Sequence, residues 1–226
     1  MEQLAEEMSA MICNPADAHD FLKALENGID PVLASGALDA IPVLRTLTAV
    51  GRAVMTIHEH NLMKQTEHFF LGLDAGTLTE EEINRYRENL SRDAFMKEDL
   101  ERVLVILDSN PDWERSFFLG KCYREYILQQ ISRARFSELR EAADRMFLAD
   151  GELLLAVHRT GDHAHIKDYE AYRVNRLIGL GLLEQEGNVW HDFSEDPDKG
   201  DVWCTPLGEE FARIANLPHP IHDAMQ

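Results

Sequence analysis

Basic residues are scarce in this sequence. Its 226 residues include 22 Lys and Arg against 41 Asp and Glu, so the formal net charge at pH 7 is −19. A phosphate backbone is bound through clustered cations that release its counterions, and a strongly acidic protein repels it. The charge balance therefore disfavours nucleic acid as a partner.

Cysteines are few as well, and they are widely spaced. Cys13, Cys122 and Cys204 form no C-x-x-C pair, which argues against a disulfide framework. The opening residues MEQLAEEMSA are acidic, whereas a secretory signal begins with basic residues and continues with an apolar run. We therefore expect reduced thiols and a cytoplasmic protein.

The sequence also lacks the short signatures of common enzyme classes. It contains no G-x-S-x-G, no P-loop, no G-x-G-x-x-G and no cysteine beside a histidine. The string His58-Glu59-His60 does not have the H-E-x-x-H spacing that places two zinc ligands on one helix face. These absences favour a non-enzymatic protein, and we predict no cofactor.

Long hydrophobic runs are missing too. The most apolar stretch, residues 29–57, is interrupted by charged residues and prolines, whereas a membrane-spanning helix needs about 20 nearly uninterrupted apolar residues. We predict that the stretch packs in the core or in an oligomer interface, and conditional membrane insertion is the alternative. Its apolar side chains are Ile41, Val43, Leu44, Leu47, Val50 and Val54.

Helical patterns dominate the rest of residues 1–160, and a hydrophobic fraction of 45% provides for a packed core. The segment Glu2 to Cys13 has helical spacing, and Asn14-Pro15 ends it and begins the next helix. Thr79 and Glu82 form a capping-box pattern, which predicts a helix from Glu80 to about Ser91. We therefore predict a mainly α protein with a multi-helix bundle domain over residues 1–160.

Two further helices are predicted within this domain. One begins at Asp112 and runs to about Ile131, after a turn that contains Pro111. The other begins at Phe136 and ends at Asp150-Gly151, where a glycine follows an acidic residue. The next predicted helix break is at Gly161.

The pattern changes after His165. A predicted helix from Lys167 to Gly179 precedes an alternating run up to Trp190, and a short strand at Val202 to Cys204 follows. A last helix begins at Thr205-Pro206. This order is typical of a winged-helix module, so we predict a small α+β winged-helix-like domain over residues 166–217 and a tail over residues 218–226.

Two motifs in this region resemble the pattern LxxLGLL…TPLGxxF that ends many prokaryotic winged-helix modules. They lie in the segments Val174 to Leu183 and Thr205 to Phe211, with Thr205 as N-cap and Pro206 at the first helical position. The whole layout resembles uncharacterised bacterial and prophage proteins, including the abortive-infection alpha family. The resemblance implies a role in phage defence or prophage biology and transfers no catalytic residue.

Candidate site residues lie around the predicted domain boundary and in the winged-helix-like domain. A histidine-rich loop provides nitrogen and carboxylate ligands suited to zinc, manganese or nickel, although a polar loop with incidental histidines is the alternative. Its candidate ligands are His158, Asp162, His163 and His165. The candidate interaction residues are Arg173, Arg176, Trp190 and Trp203.

The acidic residues of the predicted wing, among them Asp192, Glu195 and Asp196, oppose phosphate binding and favour protein contact. We therefore expect a non-enzymatic protein that binds a protein partner. The sequence is also compatible with a homo-oligomer. The alternatives are a transcriptional regulator, a membrane-active effector that uses residues 29–57, and a metal-dependent hydrolase built on the histidine-rich loop.

Overall fold

A computed structural model describes residues 2–26, 43, 46, 57–92, 94–161, 164–165, 168–185 and 200–216 of the chain. Over these residues the protein is mainly helical, as the sequence predicts, and it has a small three-stranded antiparallel sheet near the C-terminus. The chain divides into two units, Met1–Ser132 and Arg133–Gln226. The sequence-predicted boundary between residues 160 and 166 lies within the second unit.

The first unit is built from helices in its described part. Its elements are α1 (Glu2–Cys13), α2 (Pro15–Leu25), α3 (Ile57–Leu73), a 3-10 turn (Ala75–Thr77), α4 (Glu80–Arg92), α5 (Ala94–Ser109) and α6 (Trp113–Ile127). None of the helices in the described ranges is both long and apolar enough to cross a membrane.

Local sequence signals fix several of these helix ends. The Thr79 amide donates to Glu82 Oε2 at 2.7 Å, and the Glu82 amide donates to Thr79 Oγ1 at 3.3 Å. The predicted capping box at the start of α4 is thereby confirmed. At the start of α2, Pro15 occupies the first turn, where its missing N–H costs no hydrogen bond.

Helices α3 and α6 cross at two glycines, Gly72 and Gly120. A Cβ atom built on Gly72 would overlap the backbone carbonyl of Phe117, and one built on Gly120 would overlap the carbonyl of Phe69. Only hydrogen fits at these two positions, so the two backbones come closer than a pair of side chains would allow.

The structure describes one of the six apolar side chains named for residues 29–57. Val43 is fully buried, as predicted. Nearby in the chain, the Thr46 hydroxyl donates to Glu7 Oε1 at 2.7 Å. The other five apolar residues named for this stretch lie outside the described residues: Ile41, Leu44, Leu47, Val50 and Val54.

The predicted helix from Asp112 to Ile131 ends early. Helix α6 stops at Ile127 because Gln129 adopts a left-handed φ of 59° and the Gln130 amide turns back to the Glu125 carbonyl. Such a non-glycine residue in the left-handed region gives no clear signal in the sequence.

The second unit combines helices with the sheet. Its described elements are α7 (Arg133–Arg145), α8 (Leu148–Thr160), β1 (Ala164–His165), α9 (Ala171–Gly179), β2 (Leu183–Gln185), β3 (Asp201–Cys204) and α10 (Pro206–Ala215). Strand β3 lies in the middle of the sheet, in the order β1-β3-β2, and both neighbours are antiparallel to it.

The predicted helix stop at Asp150-Gly151 is wrong. The chain breaks earlier, at Phe147, which has extended backbone angles and is the N-cap residue of α8. Asp150 then lies in the first turn of α8, and the helix continues through Gly151 to Thr160. An acidic residue is favourable at this end of a helix because the N-terminal amides carry partial positive charge.

The start of α10 is joined to the corner between α9 and β2. Thr205 Oγ1 accepts from the Gly208 amide at 3.0 Å, which confirms its predicted N-cap role, and donates to the Gly181 carbonyl at 2.6 Å. A Cβ atom on Gly208 would overlap the carbonyl of Leu182. The two motifs of the sequence resemblance therefore contact each other directly.

Candidate functional site

Two of the predicted interaction residues, Arg173 and Arg176, meet at one buried carboxylate. Arg176 bonds Asp150 through two nitrogens, with Nε 2.7 Å from Oδ2 and Nη2 2.7 Å from Oδ1. Arg173 Nε donates to Oδ1 at 3.0 Å, and its Nη2 also contacts the Ala149 carbonyl. The Asp150 side chain is only 1% exposed, so its charge depends on these two partners.

The two arginines keep Asp150 ionised. Burial raises the pKa of this carboxyl, but the hydrogen bonds and charges of Arg176 and Arg173 together outweigh burial and hold the pKa below its usual value. Arg173 is also paired with Glu170 at 3.4 Å. The cations of α9 are therefore committed to carboxylates of the same unit.

Two exposed aromatic rings lie close to the Arg176 guanidinium. The guanidinium carbon lies 4.8 Å from the centre of the Phe147 ring and 4.9 Å from the centre of the Tyr172 ring. Phe147 is 62% exposed and Tyr172 57% exposed, which is high for large apolar side chains. We call Phe147, Tyr172 and Arg176 the aromatic–arginine surface.

The ion pair with Asp150 fixes the geometry of this surface. Because Arg176 is bonded at two nitrogens, its guanidinium plane has a set orientation beside the two rings. The Tyr172 hydroxyl in turn donates to Glu170 Oε2 at 2.9 Å. The surface is therefore arranged before any partner binds.

The predicted interaction tryptophans have different positions. Trp203 lies half-buried on β3, opposite Glu184 of β2, and its Nε1 donates to Glu184 Oε1 at 2.6 Å. Trp190 lies outside the described residues. The structure thus brings Arg173 and Arg176 together, and the aromatic partners of Arg176 are Phe147 and Tyr172, which the sequence analysis did not select.

A second cluster in this unit joins α8, β3 and α10. His158, Cys204 and Glu209 each place one potential metal-ligand atom within 4.8 Å of those of the other two. The His158 Nδ1 atom lies 2.9 Å from Glu209 Oε2. Nδ1 is shielded from solvent, and among the described residues it has no well-formed hydrogen bond.

Cys204 is held as a thiol in this arrangement. Burial, together with the charge of Glu209 and a hydrogen bond to it, raises the pKa of Cys204 to about 12. Cys204 is therefore a poor nucleophile at neutral pH without a bound cation.

One side of the second cluster opens into a pocket of about 720 Å³. His158 and Glu209 line it together with Arg135 and Arg213. Arg135 forms ion pairs with Glu138 at 2.9 Å and with Glu210, so the pocket contains charges of both signs.

The histidine-rich loop contributes one residue to this cluster. His158 belongs to it, whereas His165 lies exposed on β1 and its Nδ1 is 2.5 Å from Asp201 Oδ1. Asp162 and His163 lie outside the described residues. The sequence analysis missed Cys204 and Glu209 because their approach to His158 depends on how β3 and α10 pack against α8.

Comparison of the chain with protein-family models, with curated proteins and with solved structures gives no match.

Proposed function

We propose that this chain is a non-enzymatic, cytoplasmic protein that binds a protein partner through the aromatic–arginine surface of its second unit. In this proposal the second unit is a winged-helix-like module used for protein contact. The setting is bacterial phage defence or prophage biology, which the sequence resemblance suggests.

The element order of the second unit supports the winged-helix assignment. Strand β1 is followed by helix α9, by the antiparallel strands β2 and β3, and by helix α10. Strand β3 lies between β1 and β2 in the sheet, as the central strand of such a module does. In this proposal helix α9 corresponds to the recognition helix.

The observation that carries the protein-binding proposal is the contact of the Arg176 guanidinium with two exposed aromatic rings. Aromatic residues and arginine are the types most enriched where binding energy concentrates in protein interfaces. A surface whose side chains are already fixed loses little conformational entropy on binding. The bidentate bond from Arg176 to buried Asp150 provides this fixation.

The same contacts weigh against duplex recognition by α9. A helix that reads DNA offers free cations to phosphates and bases, whereas Arg173 and Arg176 are both bonded to Asp150. With the net charge of −19, the surface instead suits a partner whose apolar side chains are flanked by basic ones.

Affinity purification of the full chain from its host, with and without phage infection, tests the proposal. The wild type is compared with a Phe147→Ser, Tyr172→Ser double variant and with Val105→Ser, which changes an exposed apolar residue of the first unit. We expect a protein that is retained by the wild type and by Val105→Ser and lost with the double variant. Retention by all three, or no partner in either state, contradicts the proposal.

Two assays address the alternative functions. A transcriptional regulator binds duplex DNA in a salt-sensitive manner, so a mobility shift at low salt that is lost on Arg173→Ala or Arg176→Ala replaces our proposal with that one. A membrane-active effector releases dye from liposomes, and charged substitutions at Val43 and Val50 would abolish the release.

A further inference from the structure

The cluster of His158, Cys204 and Glu209 contains an imidazole nitrogen, a sulfur and a carboxylate oxygen. This donor set is typical of zinc and of neighbouring transition metals, whereas magnesium and calcium prefer oxygen ligands alone. The three residues come from three different elements, α8, β3 and α10, which fix them relative to one another.

The distances within the cluster suit a single ion. In a tetrahedral zinc site, metal–ligand lengths of about 2.0–2.3 Å place neighbouring ligand atoms about 3.3–3.8 Å apart. The three atoms here lie within 4.8 Å of one another, and His158 Nδ1 is 2.9 Å from Glu209 Oε2. Side-chain movements on the order of 1 Å bring all three to one ion.

Two features of the cluster are explained by a cation. The buried His158 Nδ1 faces Glu209 without a well-formed hydrogen bond. The Cys204 sulfur lies beside the same carboxylate, within 4.8 Å of it. A divalent ion would accept electron pairs from all three groups and would neutralise the two acidic ones.

We infer that His158, Cys204 and Glu209 bind one zinc-type divalent ion, with the fourth coordination position directed to the pocket beside α10. On binding, Cys204 loses its proton to solvent and ligates as a thiolate. His158 binds as the neutral imidazole through Nδ1 and keeps its proton on Nε2. A water molecule, or an anionic group of a ligand, completes the coordination.

This site differs from the predicted metal site in the histidine-rich loop. His158 is common to both, but Cys204 and Glu209 replace the loop residues. The inference is independent of the proposed docking function, because none of its three ligands belongs to the aromatic–arginine surface.

Cobalt substitution of the full-length chain tests the inference. The reduced, metal-stripped protein is titrated with Co²⁺, and absorption spectra report a thiolate-to-cobalt charge-transfer band and the intense d–d bands of four-coordinate cobalt. We expect saturation at one equivalent and displacement of Co²⁺ by one equivalent of Zn²⁺. Cys204→Ser should abolish the charge-transfer band.

Variants inside and outside the cluster test whether these three residues bind the metal. Glu209→Gln and His158→Gln should weaken Zn²⁺ binding by at least about 10-fold, since even residues that only support ligands have effects of this size. Cys13→Ser and His165→Gln, which change a thiol and a histidine outside the cluster, should bind Zn²⁺ as the wild type does. Thermal melts complement the titration, because Zn²⁺ should raise Tm in the wild type and in these two controls only.

Three results would overturn the site. They are no thiolate band in the wild type, a band that persists in Cys204→Ser, or unsaturable binding that Glu209→Gln leaves unchanged. Glu209 is 54% exposed, so Glu209→Gln retains the fold and keeps the test decisive even if Cys204→Ser does not fold.

Discussion

Arg176 bonds both carboxylate oxygens of Asp150, each at 2.7 Å, and thereby joins helix α9 to the first turn of α8. Because Asp150 is buried, water could not solvate its carboxylate if one of the arginines were removed. The same guanidinium contacts the rings of Phe147 and Tyr172. The ion pair is therefore both a structural link within the second unit and the support of its exposed aromatic surface.

Replacing Asp150 with alanine should destabilise the protein substantially. Arg173 and Arg176 would lose a shared buried partner, but both are partly exposed and regain some hydration, so we expect a loss of about 2 kcal/mol rather than the larger cost of a fully buried pair. Guanidinium unfolding at pH 7 measures it. Glu152→Ala, an exposed change on the same helix, should stay within about 0.5 kcal/mol. Equal effects of the two variants would contradict this role of Asp150.

The contribution of Asp150 should depend on pH. Its pKa is lowered in the folded protein, so the stabilisation is fully present above the unfolded-state pKa of about 4 and is lost as the pH falls through the folded-state pKa. We expect the Tm difference between the wild type and Asp150→Asn to be constant from pH 7 to about pH 5 and to shrink below about pH 4. A difference that grows on acidification would refute the assignment.

Helix boundaries were predictable where the signal lies within a few residues. Thr79 and Glu82 supply the capping box of α4, and Asn14-Pro15 separates α1 from α2. The end of α6 depends on the left-handed backbone of Gln129, and the start of α8 on the extended backbone of Phe147. Packing selects these conformations, so periodicity alone placed both boundaries several residues too late.

The residues of the candidate sites were likewise predictable only in part. The sequence drew attention to Arg173, Arg176 and His158 because of their residue types. Their partners could not be recognised, since Asp150 resembled part of a helix stop and Cys204 resembled an ordinary reduced thiol. Strand β1 was not predicted either, because two residues are too few to show an alternating pattern and its pairing with β3 decides its conformation.

The crossing of α3 and α6 leads to a prediction for the first unit. Gly72→Ala and Gly120→Ala each place a methyl group against a backbone carbonyl that cannot rotate away, so we expect each to cost about 3 kcal/mol. Gly76→Ala is the matched control because no atom lies within 4 Å of the added Cβ. Its stability should change by less than about 1 kcal/mol in denaturant unfolding. Similar losses in all three variants would show that the close crossing is not the cause.

Thr205 offers a test of the link between the two sequence motifs. Thr205→Ala removes the acceptor for the Gly208 amide and the donor to the Gly181 carbonyl, and we expect a loss of about 1–2 kcal/mol. Thr205→Ser keeps the hydroxyl and should lose less than half of that. Hydrogen exchange locates the effect, because the Gly208 amide should exchange faster in the alanine variant while the amides at the start of α4 keep their wild-type rates. If serine and alanine destabilise α10 equally, the methyl group of Thr205 rather than its two hydrogen bonds holds the helix in place.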